Sequence, residues 1–154
     1  MQARMKNPAF VLPDGLKGIQ TIFKGIYSGG APNELLEMTA LRASQINGCS
    51  ACVHAHVQNL KKAGESEERV GTVAAWQEAP FYSDAERAAL ALAEAMTRNI
   101  ADRSGDAVPD ELWDQVADHF DEKQLSAIVL NIAVTNMFNR LNATIKEPAG
   151  QNWA

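Results

Sequence analysis

From Pro13 to Ile26 apolar residues return every three or four positions with polar ones between them, the period of an α-helix that buries one side. Gly29-Gly30 ends that segment, and Pro32, at a position suited to a first helical turn, opens a second helix running to Gln45. Asn47-Gly48 interrupts the pattern, so the next helix is predicted to start at Cys49 and to run to about Ala63, stopping at Gly64. Ser66, with Arg69 and Val70 behind it, begins a shorter helix that ends before Pro80, whose ring disfavours helix in the residue preceding it. Ser83, followed three residues later by Glu86, predicts a capping box and a long helix through about Asn99. Another helix is predicted from Asp110 to Phe120. The last, Glu122 to about Ile145, sets Leu125, Ile128, Val129, Ile132, Ala133 and Met137 at helical spacing. Pro148 and Gly150 predict a loose tail over residues 146–154.

No persuasive strand, internal repeat or glycine-rich phosphate loop interrupts this series, so the predicted fold is all-α with the cysteine helix inside it. A thioredoxin fold is excluded, because its redox pair sits within a βαβ pattern. Ala88 to Met96 is apolar nearly all round except at Glu94, whereas a solvated helix shows a clear polar face. Either a central place in a monomer or a partner subunit would bury such a helix. The second arrangement predicts a homo-oligomer whose interface includes Ala88–Met96, Trp76 and Phe81.

Length and charge narrow the classes. The 154 residues suffice for one domain with a real core and are too few for two, so a single domain over residues 1–154 is expected. Acidic side chains outnumber basic ones by 19 to 14, and no Lys/Arg stripe is interleaved with aromatics, which argues against a nucleic-acid partner. No signal-peptide core follows Met1-Gln2-Ala3-Arg4, and no run of about 18 apolar residues would span a bilayer. No membrane partner and a cytoplasmic location are therefore expected, and in a reducing cytosol a proximal cysteine pair is more often catalytic than structural.

The candidate chemistry lies in Asn47-Gly48-Cys49-Ser50-Ala51-Cys52-Val53-His54-Ala55-His56, which holds both cysteines of the chain. At about 100° per residue Cys49, Cys52 and His56 share one helical face, and His54 points to another. Cys49 falls at a helix start, where free backbone N–H groups and the macrodipole favour a thiolate, the reactive form of cysteine. Three readings stand side by side. A redox dithiol with its own base fits the spacing. Zinc would find three ligands in Cys49, Cys52 and His56 but lacks a fourth, since the other histidines are His54, facing away, and the distant His119. An inert pair leaves the histidine unexplained, and a bridge across so short a loop removes little chain entropy. His119, Trp76, Trp113 and Trp153 receive no chemical role.

Glu37 lies twelve residues before Cys49, and with Cys52 and His56 it completes a pattern that closely resembles the core motif of the alkylhydroperoxidase D (AhpD-like) family, in the carboxymuconolactone decarboxylase superfamily. Phe81 to Thr97 and Asn131 to Asn142 extend the resemblance, so that it spans most of residues 34–142. The later helices mark the fold and carry no evident chemistry. The decarboxylase branch lacks the cysteine pair, so the resemblance implies the peroxidase-like branch. One departure is Ala51, where some members carry a histidine immediately before the second cysteine.

What the resemblance implies is an AhpD-like helical domain that assembles as a trimer or hexamer and works as a thiol-dependent alkylhydroperoxidase. Its partners would be a hydroperoxide substrate and an external dithiol or protein reductant, with no cofactor and no metal. Cys52 would be the attacking thiolate, Cys49 the resolving partner, His56 the base or relay, and Glu37 the carboxylate that orients it. The alternative uses of the same segment are a disulfide reductase or electron-transfer adaptor, and a zinc-binding protein without enzymatic activity.

Overall fold

A computed structural model describes residues 2–102 and 106–150, so that the end of the predicted tail, 151–154 with Trp153, lies outside the described residues. The described chain is all-helical. A one-turn helix, α1 (Pro8–Val11), which the periodicity does not show, precedes α2 (Pro13–Tyr27). Then follow α3 (Asn33–Asn47), α4 (Ser50–Ala63), α5 (Glu67–Thr72) and a 3-10 turn (Val73–Ala75). The long α6 (Asp84–Asp102), α7 (Asp110–Ala117) and α8 (Glu122–Ile145) complete the series.

The helix ends follow the local chemistry. Ser83 and Glu86 form the reciprocal capping box expected of them, the Ser83 N–H donating to the Glu86 carboxylate at 2.8 Å and the Glu86 N–H to the Ser83 hydroxyl at 3.3 Å. Asp121 and Gln124 form a second box at the start of α8. Gly48, at φ 67°, closes α3: its own N–H bonds to the Gln45 carbonyl and that of Cys49 to the Ser44 carbonyl. This pair of bonds is a Schellman closure, which needs a left-handed residue where glycine bears no Cβ penalty. Cys49 is thereby delivered as the N-cap of α4.

Helix α3 lies at the centre, against α4, α6 and α8. Two apolar clusters share it. Leu36 joins Ile26, Leu92, Val116, Ile128 and Ile132 in one, and Met38 and Leu41 join Leu60, Val73 and Leu90 in the other. Helix α6 divides the same way, with Ala89, Leu92 and Ala93 in the first cluster and Leu90 in the second. Its apolar circumference is thus covered within one chain, and the burial of Ala88–Met96 does not call for a partner subunit. Trp76 is also buried, its indole N–H donating to Glu94 at 2.9 Å, while Phe81 is exposed. The oligomer expected from the sequence keeps only the family resemblance as its basis.

Glu94, the one charge in that apolar run, is not left unpaired. Nearly buried Arg42 reaches it at 2.6 Å and Arg98 at 3.0 Å, so the carboxylate is held by two cations and an indole. Helix α8 differs from its predicted pattern, because Ala133 and Met137 are exposed. Its buried seam runs Leu125, Ile128, Ile132, Thr135, Asn139 and Asn142, turning polar toward the C-terminal half. Among the described residues no helix is long and apolar enough to cross a membrane.

Candidate functional site

The α3–α4 corner is pinned to α8 by amides. Asn47 donates to Asn136 at 2.9 Å and to Asn139 at 2.8 Å, and Asn139 donates in turn to the Ser44 hydroxyl at 3.0 Å. This network fixes where α4 begins and so where the cysteines sit. Cys49 and Cys52 are joined as a disulfide with Cα atoms 5.3 Å apart, and both are buried. The Cys49 sulfur also accepts the Cys52 backbone N–H at 3.3 Å, the N-cap contact expected of a helix start.

One turn beyond Cys52, His56 presents Nδ1 to Glu37 Oε2 at 2.7 Å. Glu37 comes from α3, and Asn59 of α4 donates to both of its oxygens at 3.3 Å. About a fifth of each side chain in the His56–Glu37 pair is exposed. A carboxylate accepting from Nδ1–H fixes the imidazole tautomer and leaves Nε2 with its lone pair. His54 is exposed on another face, and so is His119.

A cavity of about 330 Å³ meets this group. Phe10, Leu16, Ile19, Phe23 and Phe138 supply its apolar wall, with Phe23 and Phe138 stacked at 6.2 Å between ring centroids. Cys52, His56, Glu37, Tyr27 and the α8 residues Asn131, Thr135, Asn139 and Asn142 supply the polar part. Among the described residues no lysine or arginine lines it, and neither does Cys49. Burial, and secondly the Glu37 charge, push the Tyr27 phenol above its ordinary range, so it faces the cavity as a neutral hydroxyl.

All four residues singled out from the sequence are therefore brought together: the two sulfurs at the head of α4, His56 a turn below, and Glu37 across from it. The amide of Asn142 was missed. Its Nδ2 lies 3.2 Å from the Cys52 sulfur, so α8 touches the chemistry that sequence reading denied it. Polar residues 131, 135, 139 and 142 recur at helical spacing on one face of α8, but nothing local in the sequence pairs that face with the cysteines. Among the described residues no group of three or more His, Cys, Asp or Glu side chains is arranged to hold a metal ion. In the disulfide form the two sulfurs bond to each other and His56 Nδ1 is engaged by Glu37.

Known proteins resemble this chain to different degrees. The chain is 36% identical over 132 residues to YdfG of Bacillus subtilis, an uncharacterised protein, covering 86% of this chain and 87% of that one. The crystal structure of ATU0492 from Agrobacterium tumefaciens, of unknown function and described as a candidate antioxidant defence protein AhpD, superposes with a TM-score of 0.86 at 27% identity, over 98% of this chain and 100% of that one. The debrominase Bmp8 superposes with a TM-score of 0.78 at 28% identity, over 89% and 72% respectively. Residues 13–95, which carry Glu37, both cysteines and His56, match the carboxymuconolactone decarboxylase family, and with the AhpD-like fold around them they establish that the chain belongs to the AhpD-like proteins of that superfamily.

Proposed function

We propose that the protein is a thiol-dependent alkylhydroperoxidase of antioxidant defence, cycling between a dithiol and a disulfide. The observation that carries this reading is the position of Cys52, which lines a mostly apolar cavity, with a histidine one turn away whose Nδ1 is held by a carboxylate. In the reduced protein His56 Nε2 takes the Cys52 thiol proton, a base role that needs close approach. The thiolate attacks the terminal oxygen of a hydroperoxide; the O–O bond breaks, the sulfur loses two electrons to become a sulfenic acid, and the leaving alkoxide takes the proton back from His56. Cys49 then attacks that sulfur, an S–S bond forms, the S–OH bond breaks and water leaves. An external dithiol or protein reductant restores both thiols by exchange, as the cytoplasm would allow.

The apolar wall favours an organic hydroperoxide, whose alkyl or aryl body it would cover, over hydrogen peroxide. The same wall and the likeness to Bmp8, of which a cysteine-to-alanine variant forms a complex with 2,3,4-tribromopyrrole, favour a second reading, reductive dehalogenation. There the Cys52 thiolate would take bromine, the ring carbon would gain a proton, and Cys49 would displace bromide to give the same disulfide. Assembly as a trimer or hexamer is part of the proposal and is tested by light scattering on the intact protein.

Stopped-flow oxidation of the reduced protein distinguishes these readings. Rapid disulfide formation with a bulky organic hydroperoxide, faster than with hydrogen peroxide, is expected. Bromide release from tribromopyrrole without hydroperoxide reactivity would install the second reading. Inertness to both, with fast exchange against a protein disulfide, would make the chain an electron-transfer adaptor.

A further inference from the structure

We propose that Asn142 is a further catalytic residue, whose amide stabilises Cys52 as the thiolate, and that Asn7 is a positioning residue holding that amide in its donating orientation. The orientation follows from a chain of hydrogen bonds. The Ala9 backbone N–H donates to Asn7 Oδ1 at 3.0 Å, which leaves Asn7 Nδ2 as the donor to Asn142 Oδ1 at 2.9 Å. Asn142 Nδ2 is then the atom that faces the Cys52 sulfur at 3.2 Å. An amide can present either end, and here a backbone donor two steps away decides which. Asn142 is 1% exposed and Asn7 7%, so both contacts lie away from bulk solvent.

The contact matters because the two sulfurs compete for the negative charge. Cys49 sits at the N-terminus of α4 and accepts the Cys52 N–H, which by itself would make it the more acidic thiol. Cys49 does not line the cavity, however, whereas Cys52 does. A donor on the Cys52 sulfur is stronger toward a thiolate than toward a thiol or disulfide, because the bond becomes charge-assisted. It moves charge toward the sulfur that meets the substrate. Among the described residues the titratable groups facing the cavity, besides Cys52 itself, are His56 from α4, Glu37 from α3 and Tyr27 from α2; α8 brings only uncharged side chains, Asn131, Thr135, Phe138, Asn139 and Asn142, and α1 brings Phe10. The α8 amide therefore favours the thiolate without adding a charge that would compete with Glu37 for His56.

This inference rests on Cys52 being the reacting sulfur, but its test needs no peroxide. In a Cys49→Ser background, where serine is a good N-cap and keeps the start of α4, the ultraviolet absorbance of the single thiolate is titrated with and without Asn142→Leu. The Cys52 midpoint should rise by about one to two pH units, a roughly tenfold to hundredfold smaller thiolate fraction, the scale of a hydrogen bond to a charged group. In a Cys52→Ser background the Cys49 midpoint should not move. An unmoved Cys52 midpoint, or an equal rise at both cysteines, would overturn the assignment. Asn7→Ala should raise the Cys52 midpoint in the same direction by less; no rise would remove Asn7, and it decides the whole proposal should Asn142→Leu lose its helical circular dichroism. A shifted midpoint in a protein inert to hydroperoxides would reject the peroxidase and retain Asn142. Normal peroxide turnover with an unmoved midpoint would do the reverse.

Discussion

Replacing Glu37 by glutamine separates the orienting carboxylate from the shape of its side chain. The Glu37–His56 contact is 2.7 Å with about a fifth of each side chain exposed, and Asn59 donates to both carboxylate oxygens. A hydrogen bond to a charged partner contributes about 1.5–3 kcal/mol and a neutral one about 0.5–1.5 kcal/mol, so losing the charge forfeits roughly 1–2 kcal/mol. That is about a five- to thirtyfold effect. The amide adds a second defect, since it presents a donor or an acceptor to Nδ1 and no longer fixes the tautomer. We expect single-turnover oxidation of reduced Glu37→Gln by an organic hydroperoxide to slow by about thirtyfold. His56→Ala should slow it by about a hundredfold or more, the scale of general-base assistance. Stopped-flow disulfide formation under excess hydroperoxide measures both. An unchanged rate in Glu37→Gln with helicity intact would remove the carboxylate from the mechanism.

Other positions test the packing. A Cβ added at Gly29 would stand 2.4 Å from the Ala127 Cβ and 3.0 Å from the Ile26 carbonyl, so Gly29→Ala should destabilise the α2–α8 contact by about 1–3 kcal/mol in urea unfolding. Leu92→Ala should cost about 2–5 kcal/mol at any protein concentration, since the side chain is fully buried in its own chain; a change of mass with an unaltered unfolding curve would return it to an interface. At Glu86 burial opposes the charge, yet hydrogen bonds from Arg69 and Ser83 and the Arg69 charge outweigh it and hold the carboxyl below its ordinary value near 4.5. Its contribution is present above that value and is lost as pH falls through the lowered one, so Glu86→Gln should flatten the acid limb of the stability curve, measured by thermal unfolding across that range.

Legibility differed with the range of the interactions. Helix ends set by local chemistry were readable: Gly64, the Ser83–Glu86 box and the span Glu122–Ile145 stand where the pattern placed them. Helix α1 was not, because one turn capped by Asn7 leaves no period to detect. The apolar circumference of α6 was read correctly, but its cause was the division of one chain into two cores, a tertiary fact that periodicity cannot separate from an interface. Glu37, Cys49, Cys52 and His56 were legible through the motif, and α3 and α4 set Glu37 2.7 Å from His56. Asn142 was not, because it reaches Cys52 across 90 residues, and no local pattern carries such a pairing.

Every step of the proposed cycle depends on Cys52 being the sulfur that meets the oxidant. Cys49→Ser and Cys52→Ser proteins, reduced and treated with one equivalent of an organic hydroperoxide in the presence of a sulfenic-acid trap, decide it by intact mass and peptide mapping. A trapped adduct is expected at Cys52 in Cys49→Ser and none in Cys52→Ser. A trapped adduct at Cys49 in Cys52→Ser, with Cys52 unmodified in its own single-cysteine protein, would contradict it.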